Sequence, residues 1–114
     1  MSMQTSKIPG LDGLWTYEIP GAGSAGVIVL VAGKLYGGDT HFFLDGDYDV
    51  DGESIVATIT SHRYRDGAPQ LDGPSDGAPF IMRGTWNASA NVLQLYGPTG
   101  WGHVVFRQQR HLGQ

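Results

Sequence analysis

Between residues 11 and 110 apolar and polar side chains alternate in short runs, and Gly, Pro, Asn or Asp closes nearly every run. A period of two puts successive side chains on opposite faces of an extended strand, whereas a helix needs a period near 3.6. No stretch keeps a helical period with caps at both ends, and there is room for only one short helical turn, near Thr40. The core must therefore be built from sheet. Strands are expected at 11–19, 24–31, 34–37, 42–50, 54–65, 80–86, 92–97 and 102–110, with 66–78, rich in Asp-Gly pairs and prolines, as a long loop. Eight sequential hairpin strands predict an all-β fold, an antiparallel up-and-down β-barrel, because closure removes unpaired edges. A flattened β-sandwich is the alternative.

A chain of 114 residues holds a single core, so residues 11–110 are expected to be one domain. Residues 1–10 read as a polar, disordered arm and 111–114 as a frayed end. The absence of cysteine excludes disulfides, thiolate catalysis and cysteine-based zinc sites. A net charge of −4, a pI near 5.3 and no cluster of Lys and Arg leave no cationic footprint for direct nucleic-acid binding. The N-terminus lacks the apolar segment of a signal peptide, and the longest apolar run, 27–32, is too short to span a bilayer. The cytoplasm is the expected compartment, with no membrane partner.

One hairpin carries an acid at every second position. Asp45, Asp47 and Asp49 share a strand face, and three like charges on one face must meet water or a cationic surface. Leu44, Gly46, Tyr48 and Val50 then form the core side. Asp51-Gly52 is a strong two-residue turn signal; it predicts pairing of Val50 with Glu53, Tyr48 with Ile55, Gly46 with Ala57 and Leu44 with Ile59. That register moves Glu53 to the rim of the inner face. The acids Asp45, Asp47, Asp49, Asp51 and Glu53 are the candidate partner-binding residues.

The preceding hairpin is apolar on both faces. A turn at Ala32-Gly33 groups Ile28, Leu30 and Leu35 on one face and Val29 with Tyr36 on the other. Whichever face does not fill the barrel is an apolar patch, which monomers seldom leave exposed. Val27, Val29, Val31 and Tyr36 are the expected seam of a homodimer; cover by the 66–78 loop or the N-terminal arm is the alternative.

The unit Gly-x-aromatic recurs as Gly13-Leu14-Trp15, Gly46-Asp47-Tyr48 and Gly84-Thr85-Trp86. A strand can coil at the glycine while the ring fills the space beside it. Trp15, Tyr17, Tyr48, Ile55, Ile59, Phe80, Met82 and Trp86 are the candidate inward residues. They either plug the barrel or line a narrow cavity for a small apolar ligand.

Chemistry finds little foothold. Asp47-x-Asp49-x-Asp51-Gly52 opens like a calcium loop, but the twelfth position, Thr58, supplies no carboxylate and the flanks are strands. His41, His62, His103 and His111 show no metal-ligand spacing, and Ser61 and His62, as neighbours on a strand, point to opposite faces. No catalytic residue, metal site or cofactor is predicted, and the chain is not expected to be an enzyme.

Gly13-Leu14-Trp15, Gly26-Val27-Ile28-Val29 and Gly33-Lys34-Leu35-Tyr36-Gly37-Gly38-Asp39, followed by Gly46-x-Tyr48 and Ser61-His62-Arg63-Tyr64, resemble the GrlR family over roughly the first two-thirds of the chain. Its founding members are negative regulators of the activator of type III secretion genes. The resemblance implies a dimeric, calycin (lipocalin-like) barrel that binds a helix-turn-helix transcriptional activator through an acidic tetrad. That tetrad falls near Asp49-Val50-Asp51-Gly52-Glu53, where Val50 and Gly52 interrupt the acids. The calycin likeness also implies that a basic residue of the last strand, Arg107 or Arg110, packs on Trp15. Two functions compete: a regulatory protein that sequesters an activator, and a carrier or sensor of a small apolar ligand.

Overall fold

A computed structural model describes residues 11–20, 23–65, 77–87, 89–97 and 102–111. The expected N-terminal arm, the last three residues and most of the 66–78 loop lie outside these described residues. Eight strands are present among them: β1 (Gly13–Ile19), β2 (Ser24–Val31), β3 (Lys34–Gly38), β4 (Phe42–Asp51), β5 (Ser54–Arg63), β6 (Pro79–Asn87), β7 (Val92–Tyr96) and β8 (His103–His111). Each pairs antiparallel with its neighbour in sequence, and β8 returns to β1 to close the barrel. This is the expected up-and-down barrel rather than the sandwich. Only strand ends shift: β5 stops at Arg63, and β8 runs on to His111.

Alternation selects the core directly. On β1, Trp15, Tyr17 and Ile19 are buried; on β5, Ile55, Ala57, Ile59 and Ser61; on β7, Leu93 and Leu95. At one end, the base, Trp15 and Trp86 meet edge to face with centroids 6.5 Å apart. The Trp15 indole Nε1 donates to the Leu11 carbonyl at 3.0 Å, which satisfies its buried polar atom. The base is also laced from tip to strand. Tyr48 N–H donates to Gly33 O, Trp86 N–H to Glu53 O and Gln108 N–H to Asn91 O, so each hairpin tip is tied to the strand that follows it. That stagger is what a tilted, closed sheet requires.

The three Gly-x-aromatic units have a steric cause. A Cβ at Gly13, Gly46 or Gly84 would collide with the carbonyl oxygen of Arg110, Thr58 or Gln94 on the adjoining strand. The adjoining backbone leaves no room for a side chain there, and the ring two residues on turns inward.

Three expectations are corrected. The β4–β5 loop is Gly52-Glu53 rather than Asp51-Gly52: Asp51 pairs with Ser54, Val50 with Ile55, Tyr48 with Ala57, Gly46 with Ile59 and Leu44 with Ser61. Gly52 alone takes a positive φ (64°), as a turn with glycine at its first central position demands, so Glu53 projects from the tip instead of edging the inner face. Near Thr40 there is a bend and no helical turn. The Asp39 carboxylate Oδ1 accepts the backbone N–H groups of His41 and Phe42, both at 2.9 Å, and this side-chain-to-backbone turn replaces a helical one. Finally, neither arginine covers Trp15. Gln108 lies opposite it on β8, and a bulge between the Trp15 and Leu14 pairings leaves Arg107 and Arg110 on the outer face, both exposed.

Candidate functional site

The interior offers no room. Trp15, Tyr17, Ile55, Ile59, Phe80, Met82 and Trp86 are buried, and Tyr48 is half-buried against them. Around Ile28, Leu35, Tyr48 and Phe106 the void measures only about 10 Å³, no more than a single water needs. The inward residues predicted from sequence plug the barrel, and of them Tyr17 alone also borders the cavity at the end opposite Trp15. Burial pushes the Tyr48 phenol up to about 12, with a smaller push from the Asp12 charge, against a backbone hydrogen bond with Gly33 that acts the other way.

The outer wall of β2 to β5 is where the other predicted residues meet. Antiparallel pairing sets Val29 beside Tyr36, Tyr36 beside Asp45 and Asp45 beside Thr60. The next row runs Val31, Lys34, Asp47, Thr58. The apolar strip and the acidic stripe are therefore parts of one continuous surface. Val27 and Tyr36 are 47% and 52% exposed, while Val29 and Val31 are half-buried, so this is the outward face of the second hairpin. The buried Ile28, Leu30 and Leu35 form the inward one.

The acids differ in their partners. Asp47 lies 3.9 Å from the Lys34 ammonium, both side chains more than half exposed, a geometry worth little in water. Asp45 Oδ1 is 3.3 Å from His62 Nε2, an ion pair only when the imidazole is protonated. Asp49, Asp51 and Glu53 are exposed and have no ion-pair partner among the described residues. The acids nearest the hairpin tip are thus the ones without an ion-pair partner.

Sequence reasoning missed an aromatic cluster beside Asp45. The Phe43 ring stacks on His62 with centroids 4.5 Å apart, and Tyr64 packs at 6.4 Å from Phe43. The Tyr64 hydroxyl donates to the Asp39 carbonyl at 2.7 Å. Phe43 and Tyr64 remain 46% and 56% exposed. The signal was present in the doubled Phe42-Phe43, since two adjacent rings on a strand cannot both face inward.

Among the described residues no cluster of His, Asp and Glu could hold a metal ion, and no helix is long and apolar enough to cross a membrane. Comparison of the chain with protein-family models, with curated proteins and with solved structures found no match.

Proposed function

We propose that this protein is a small cytoplasmic regulatory protein that works by binding another protein, and that the β2–β5 outer wall is its binding surface. The observation that carries this reading is the division of the molecule: the interior is packed shut, while exposed apolar and acidic residues lie side by side on one wall. Such a wall fits a partner segment with an apolar face flanked by Arg and Lys. Phe43 and Tyr64 supply contact area, and Asp45, Asp47, Asp49, Asp51 and Glu53 supply orientation and electrostatic steering. DNA-binding regulators carry basic surfaces of this kind, and the GrlR-like motifs favour a helix-turn-helix activator, held away from DNA, as the partner. The role is binding, without catalysis or cofactor.

Affinity capture from native lysate tests the reading. The wild-type protein is expected to retain a helix-turn-helix regulator that salt elutes, and the triple variant Asp45→Asn, Asp47→Asn, Asp49→Asn is expected to lose it. Equal retention by both proteins would place the contact elsewhere.

We propose further that the apolar strip Val27, Val29, Val31 and Tyr36, continued by half-buried Leu14 on β1, is closed by a second copy of the chain. A self-complementary patch of this kind is what a two-fold dimer hides.

A further inference from the structure

The barrel mouth lies opposite the tryptophan base. The ends of β1, β2, β4 and β5 and the Asp39–Phe42 bend surround a cavity of about 230 Å³. It exists because small side chains, Ser24 and Ser61, stand where a filled barrel would carry large ones. Ser61 occupies the inward position after Ile55, Ala57 and Ile59 on β5, and it is the one buried polar residue among the described residues, 6% exposed.

Two hydroxyls in this lining lack partners. Tyr17 is only 2% exposed, and neither its phenol nor the Ser61 hydroxyl finds a hydrogen bond among the described residues. Neither hydroxyl is sealed from solvent, so each can exchange water for the polar group of a ligand. Burial, reinforced by the charge of Asp39, pushes the Tyr17 phenol above its ordinary value, so it stays protonated and able to donate. The remaining wall is apolar where Ile19, Phe42 and Leu44 contribute.

We propose that the barrel mouth binds a compact single-ring molecule that carries a hydrogen-bonding substituent and no negative charge. The ring is called for by shape: the cavity is smaller than the roughly 300–1,000 Å³ of drug-sized sites, and the sealed interior below leaves no path for an acyl chain. The substituent is called for by the two idle hydroxyls of Tyr17 and Ser61. The charge is set by Asp39, a lining residue close enough for its charge to act on the Tyr17 phenol, which disfavours anions, while a neutral His41 in the same lining adds no charge. This site is separate from the β2–β5 outer wall and does not depend on the function proposed for it.

Amide chemical shifts of the intact protein, titrated with p-cresol, tyramine and octanoate, provide the test. At least one of the ring probes is expected to give saturable shifts at Ser24, Thr40 and Ser61, while octanoate gives none. Tyr17→Phe keeps the ring and should weaken that probe about fivefold, as loss of one hydrogen bond does. Ser24→Leu, which fills the mouth from a half-buried position, should abolish binding in a protein that retains its spectral dispersion, and it serves if Tyr17→Phe does not fold. The proposal is overturned if neither ring probe saturates, if octanoate binds as well as they do, or if the folded variants bind like the wild type.

Discussion

At the scale of single residues, close backbone approach and burial dominate. Gly84 on β6 stands against the Gln94 carbonyl of β7, and no flexible side chain is there to yield to an added methyl. Gly84→Ala should therefore cost about 1–3 kcal/mol, as overpacking does, and appear as a lowered thermal midpoint. An unchanged midpoint would show that the wall can relax at this point. Tyr48 makes a second, pH-dependent prediction. Its folded-state phenol is raised from 10.0 to about 12, so its contribution to stability is complete below pH 10 and is lost as the pH climbs from 10 through 12. Absorbance of phenolate should show Tyr48 ionising late, with unfolding becoming easier across that window; ionisation of all tyrosines near pH 10 in the folded protein would contradict the packing.

At the scale of elements, the acidic hairpin shows what a sequence can and cannot reveal. The faces of Asp45, Asp47 and Asp49 followed from alternation, which is local to the strand. The turn did not, because Asp51-Gly52 and Gly52-Glu53 both place glycine where a positive φ is allowed. Sliding the loop by one residue moves every cross-strand partner by two, so each side chain keeps its face while its neighbour changes. The β2–β3 hairpin, with Ala32 and Gly33 both at positive φ, offered no such ambiguity and folds as read. The Phe43–His62–Tyr64 cluster was hidden by the β4–β5 shift, since only the observed register sets Phe43 opposite His62, and the mouth cavity was less legible because it arises where strand ends from different hairpins converge. For the acidic stripe itself, exposed pairs such as Lys34–Asp47 contribute little. Converting Asp45, Asp47 and Asp49 to Asn should shift stability by no more than about 0.5 kcal/mol in either direction, measured by denaturant unfolding. A loss of several kcal/mol would mean that the acids are structural.

At the scale of the whole molecule, the barrel is a closed wall around a solid interior, so its interactions belong to its outside and its mouth. Sedimentation at micromolar concentration should find a dimer. Val29→Asp should give a folded monomer, whereas Ile28→Asp, at a position 1% exposed, should prevent folding by burying an unpaired charge. A monomeric wild type would remove the second copy and leave the apolar strip to another partner. The central claim, that the outer wall of β2–β5 binds a basic protein surface, is met most directly by measuring the affinity for the captured regulator across a salt series. Affinity should fall steadily as salt rises, and the triple Asn variant should bind more weakly with a flatter dependence. Affinity that is indifferent to salt, or the same slope in the variant, would contradict the account.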